Sequence, residues 1–154
     1  MYEALTKRAP AITDRQRQVV ELVAAGLSND EIGEVIETLR PDRIGHGILA
    51  ARDPELMDAL REAEIVLEIC PTSNLLTRAL PDEDAVRETF RAFVEHGVAF
   101  TIATDGPEMM RTHLRDELEL LQRIGALDED ELAEANRQGH EASFIAPIGQ
   151  RVAG

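Results

Sequence analysis

The chain has 154 residues, 44% of them apolar and 30% charged, enough for one domain with a real core and too apolar for a disordered chain. A formal net charge of −14 repels a phosphate backbone and argues against nucleic acid as the main partner. The one cysteine, Cys70, permits no internal disulfide and fits a reducing, cytoplasmic setting; no apolar run approaches the ~20 residues of a membrane span, and Met1–Arg8 lacks the apolar core of a signal peptide.

In chain order, a short polar lead precedes a helical pattern from Ile12. Thr13 and Gln16 are spaced as a capping box, Val19, Val20, Leu22 and Val23 form an apolar face, and Gly26 is a stop. Ser28 and Glu31 are spaced as a second capping box. Ile32, Val35, Ile36 and Leu39 then follow at helical spacing until Pro41. A strand is predicted at Arg43–Gly45. Asp53-Pro54 starts a helix with Leu56, Met57 and Leu60 on its apolar side. Ile65–Cys70 reads as a buried strand in which Glu68 needs a partner, and Pro71 stops it. Leu75–Asp84 is predicted to be a loop. Ala85–His96 is predicted helical, burying Val86, Phe90, Phe93 and Val94, with Gly97 as its end. Val98–Thr104 is the third predicted strand. Leu114, Leu118, Leu121 and Ile124 are expected to face inward on the next helix. Asp128 caps a last helix of about Glu129–Phe144, closed by Pro147. The expected organisation is a helical hairpin over residues 1–36, an α/β part over 37–147, and a mobile tail over 148–154.

Short strands alternating with amphipathic helices are the sequence form of βα units with parallel strands. In such sheets, polar residues at the carboxyl ends of strands are where chemistry sits. His46, the Ser73–Asn74 pair and Asp105 all fall there. The flanking glycines of His46 let a ligand approach and leave the imidazole open. A loop histidine without a role is the plainer use of a lone His, as a turn residue is of an Asp before Gly. Cys70 reads as a small buried apolar residue. His96, His113 and His140 lie on helices or at their ends, His113 nearest the expected pocket rim.

Three motifs, Arg43-Ile-Gly-His-Gly47, Glu68-Ile-Cys-Pro-Thr-Ser-Asn74 and Thr104-Asp-Gly-Pro107, resemble in this order the last part of adenosine deaminase-type amidohydrolases. The resemblance covers about Glu34 to Ile145. It implies part of a (β/α)8 barrel: a complete one takes roughly 250 residues, so this chain has room for the last three or so βα units. It implies hydrolytic deamination of a purine or nucleoside, with zinc as the family's metal. Asp105 would then be a zinc ligand, and His46 would orient the attacking water and move its proton. Ser73, Asn74 and Gly106 would shape the substrate pocket. Where this chain has Gly106, deaminases acting on adenosine usually carry a second aspartate, which leaves another aminopurine or nucleoside as the substrate. The family's His-x-His pair and its His-Ala-Gly-Glu motif have no match here. The resemblance therefore implies that this chain alone is inactive and does not hold zinc tightly. An incomplete barrel also leaves sheet edges on which the chain can self-associate.

A second resemblance lies upstream. Ile12 to Ile36 is similar to the opening of a LuxR-type helix-turn-helix, the alternative being a DNA-binding regulator fragment. Its recognition helix has no counterpart, because the chain runs through Pro41 directly into the Arg43 strand.

Overall fold

Helix starts and strand alternation, both legible in the sequence, lay down most of the architecture. In the computed structural model, residues 28–143 are described. The elements are α1 (Asn29–Leu39), β1 (Arg43–Gly45), a 3-10 turn (Ile48–Arg52), α2 (Pro54–Glu62), β2 (Val66–Ile69), α3 (Pro71–Leu76), α4 (Glu83–His96), β3 (Phe100–Ile102), α5 (Pro107–Met110), α6 (Leu114–Arg123) and α7 (Glu129–Glu141). The predicted helix before Gly26 and the tail from Ile148 lie outside the described residues.

The three strands form one parallel sheet in the order β1-β2-β3, with Ile44 opposite Leu67 and Leu67 opposite Phe100. Helices connect them, giving the expected α/β fold with a parallel sheet. Strand residues alternate as the pleat requires. Ile44, Leu67, Ile69, Phe100 and Ile102 are buried, while Arg43, Gly45, Glu68 and Thr101 on the other face are partly exposed. Phe90 and Phe93 of α4 are fully buried, and the Phe90 ring meets Phe100 edge-on at 5.3 Å between centroids. The partner that Glu68 needs is Arg43, 2.8 Å away.

The caps follow the sequence. Ser28 and Glu31 bond reciprocally at the start of α1. Asp53 accepts from the Leu56 N–H at 3.1 Å with Pro54 in the first turn of α2, and Asp128 caps α7. Helix α1 runs across residue 36 and buries Ile32 and Ile36 in the core that the sheet also lines.

Four expectations are corrected. Part of the predicted Leu75–Asp84 loop is helix, because Pro71 opens α3 as well as ending the strand before it. Leu114 is 44% exposed rather than inward, since it stands at the first residue of α6, short of the turn that meets the core. The third strand is only Phe100–Ile102, and the last helix stops at Glu141. The 3-10 turn and α5 were not anticipated.

Helix α7 packs along β3. Gln138 Oε1 accepts the Phe100 N–H at 2.9 Å, while the neighbouring Ala99 C=O and Ala103 N–H bond to β2. Helix α7 thus caps the outer edge of β3. Gly139 makes that approach feasible: a Cβ there would lie 2.3 Å from Thr101 Oγ1.

Candidate active site

Parallel strands bring their carboxyl ends to one side of the sheet. His46 follows β1, Ser73 and Asn74 sit on α3 just after β2, and Asp105 follows β3. Gly47 is required beside His46: its φ is +66°, and a Cβ would meet Leu67 Cδ2 at 2.9 Å. His46 and Asp105 both hold left-handed backbone, with φ of 60° each. Non-glycine residues seldom do so, and such positions cluster at functional sites.

The side chains converge in pairs. His46 Nδ1–H donates to Asn74 Oδ1 at 2.8 Å, and the Ser73 hydroxyl donates to Asp105 Oδ2 at 2.8 Å. The imidazole Nε2 and Asp105 Oδ2 stand 4.0 Å apart. The holding residues are buried, Ser73 at 2% and Asn74 at 1% exposure, whereas the Asp105 side chain is 47% exposed. Two polar groups therefore face each other at the solvent side, each tied from behind. Asn74 Nδ2 is buried with no acceptor among the described residues.

Gly106 adjoins this pair. A Cβ on it would meet only Met109 Cβ at 3.8 Å, an ordinary contact, and its φ is −111°. Neither crowding nor backbone demands glycine there. Cys70 lies beneath, 5% exposed. Burial, aided by the charges of Asp105 and Glu117, pushes its thiol up to about 12, so it stays protonated. The other histidines stand elsewhere. His96 Nδ1 bonds the Ala92 carbonyl within α4, exposed His113 precedes α6, and exposed His140 is on α7.

Sequence reading missed Glu117. It is fully buried on α6, with Oε2 accepting the Thr72 N–H at 3.0 Å and Oε1 accepting the Thr112 hydroxyl at 3.1 Å. A signal existed: Glu117 shares the inward stripe with Leu118 and Leu121, where a carboxyl is out of place.

Among the described residues, no three His, Cys, Asp or Glu side chains converge as metal donors. His46 and Asp105 offer two donors at most, and zinc takes about three protein ligands with a water or four without. The described residues do not by themselves fit a zinc ion.

Residues 15–151 match the family model for adenosine deaminase. The chain belongs to the adenosine deaminase family. The match takes in residues 15–36, most of the stretch resembling a LuxR-type domain, and nothing found supports that second likeness. The chain is 44% identical over 125 residues to the aminodeoxyfutalosine deaminase of Streptomyces coelicolor, covering 79% of this chain and 31% of that protein. In fold it is similar to the adenine deaminase of Arthrobacter aurescens, with a TM-score of 0.71 at 22% identity, covering 80% of this chain and 37% of that one. It is also similar to an amidohydrolase from Burkholderia ambifaria with bound Zn, with a TM-score of 0.69 at 23% identity, covering 80% and 34%. The chain thus spans about a third of the length of the adenosine deaminase family proteins it matches. No described helix is long and apolar enough to cross a membrane.

Proposed function

We propose that this chain is the C-terminal part of a hydrolytic deaminase for a 6-aminopurine nucleoside-like substrate, and that it needs the rest of the barrel to turn over. In that reaction water adds to the ring carbon bearing the amino group, and the C–N bond then breaks to release ammonia. The observation that carries the reading is the imidazole and carboxylate facing each other across 4.0 Å, each held by a buried side chain. With Nδ1–H given to Asn74, Nε2 is the basic nitrogen left to take the water's proton. Asp105 holds the reacting oxygen on the other side, and Ser73 fixes the carboxylate that does so. Such prior fixing of both groups lowers the cost of reaching the reactive geometry.

Zinc belongs to the family, but two donors do not make its site, so no step is assigned to it on this chain. Nor does the chain carry a match to the family's proton-donating glutamate motif, a second reason to expect no turnover from it alone. Gly106, free to carry a larger residue yet lacking one, supports a substrate other than adenosine. The 44% identity to an aminodeoxyfutalosine deaminase supports aminodeoxyfutalosine as that substrate.

The test is ammonia release from aminodeoxyfutalosine, adenosine and adenine, with zinc supplied. The chain alone should release none. Together with the complementary part of the Streptomyces coelicolor relative, it should release ammonia from aminodeoxyfutalosine, and Asp105→Asn should abolish this. Turnover and stoichiometric zinc retention by the chain alone would refute the dependence on the rest of the barrel. A zinc-loaded assembly inert toward all three compounds would refute the deaminase reading. Salt-dependent binding of duplex DNA would instead restore the regulator alternative.

A further inference from the structure

Helix α3 begins without the usual side-chain cap. Its N-cap is Cys70, which makes no capping bond, and Pro71 has no N–H. The first free donor of the helix is therefore the Thr72 N–H, and Glu117 Oε2 takes it at 3.0 Å from 45 residues away in sequence. The other oxygen takes the Thr112 hydroxyl at 3.1 Å, and the Thr112 N–H in turn bonds the Pro107 carbonyl at 3.2 Å. One fully buried carboxyl thus grips two segments. The first runs into Ser73 and Asn74, which hold Asp105 and His46. The second descends directly from Asp105. A Leu at this inward position of α6 would bury without any polar cost.

We propose that Glu117 is a positioning residue for the His46–Asp105 pair, acting through Thr72 on one side and Thr112 on the other. It fixes the start of α3, and so the direction from which Ser73 and Asn74 present their oxygens. This rests on reading that pair as the reactive groups. The readout is side-chain order, not turnover, so a zinc-loaded assembly inert toward all three compounds would remove that reading without touching this one.

The experiment is nitrogen-15 NMR of the histidine rings in the 154-residue chain, assigned with His46→Gln, together with amide hydrogen exchange. Glu117→Ala should remove the hydrogen-bonded Nδ1–H signal of His46 and speed exchange at Thr72 by roughly tenfold or more. Glu117→Gln should restore both, since its carbonyl can accept from Thr72 while its NH₂ donates to Thr112 Oγ1. Leu121→Ala, fully buried one turn along the same helix, should lower the melting temperature and leave the His46 signal in place. If Glu117→Ala does not fold, Thr112→Val removes one of the two bonds and should broaden or shift the same signal. An unchanged His46 signal in the folded Glu117 or Thr112 variant overturns the proposal. So does an equal change in Leu121→Ala, which would make the effect one of stability alone.

Discussion

Gly106 sits beside the Asp105 carboxylate with room to spare and an unremarkable φ. Gly106→Asp should therefore fold normally, with stability changed by no more than about 1 kcal/mol, as denaturant melts would show. Any change in which of the three test compounds the assembled barrel prefers would then come from the carboxylate itself. Cys70 is the opposite case. Its thiol, raised to about 12, stays protonated at neutral pH, so thiol reagents should leave the folded chain untouched and label it fully in denaturant. The sign for stability follows: the unfolded thiol ionises near 8.5, so in the folded state this group favours the neutral form. Its contribution is intact below that value and falls as pH rises toward about 12. That His46, Ser73, Asn74 and Asp105 come together was legible because each follows a strand in a recognisable run of letters. Glu117 was not: its hydrogen-bond partner Thr72 lies 45 residues upstream, and a charged residue in a helix ordinarily signals solvent.

At the level of elements, capping chemistry was readable to within a residue or two. Ser28, Asp53 and Asp128 all cap where their sequence context places them. Helix α3 was not readable, because a proline after a β-branched run signals a strand stop and a helix start alike. The seating of α7 on β3 was hidden as well, since a glycine in a helix pattern does not reveal what it approaches. Gly139→Ala gains helix propensity, yet its Cβ would overlap Thr101 Oγ1, where 2.3 Å separates the two positions. We expect a net loss of about 1–3 kcal/mol, measured by thermal melts. Thr101→Ala in the same background should recover most of that loss, because the hydroxyl oxygen is the clashing atom.

For the whole molecule, the two rims of the sheet differ. On the β3 side, α7 and the Gln138 amide occupy the strand edge. On the β1 side, no described strand lies beyond Arg43–Gly45. We expect association of the isolated chain through the β1 side, with a weight-average mass that rises with concentration in sedimentation runs and falls when the complementary part of the barrel is supplied. A concentration-independent monomer would contradict this. The backbone at the strand ends carries one more consequence. Because His46 and Asp105 both hold a φ of 60°, the main chain admits few residue types at either place. A library randomised at these two codons and sorted only for solubility, with no demand for chemistry, should return chiefly Gly, Asn, Asp and His, and almost never Val, Ile or Thr. Attempts to retool this cleft with branched side chains would thus be filtered by the peptide geometry before any substrate arrived.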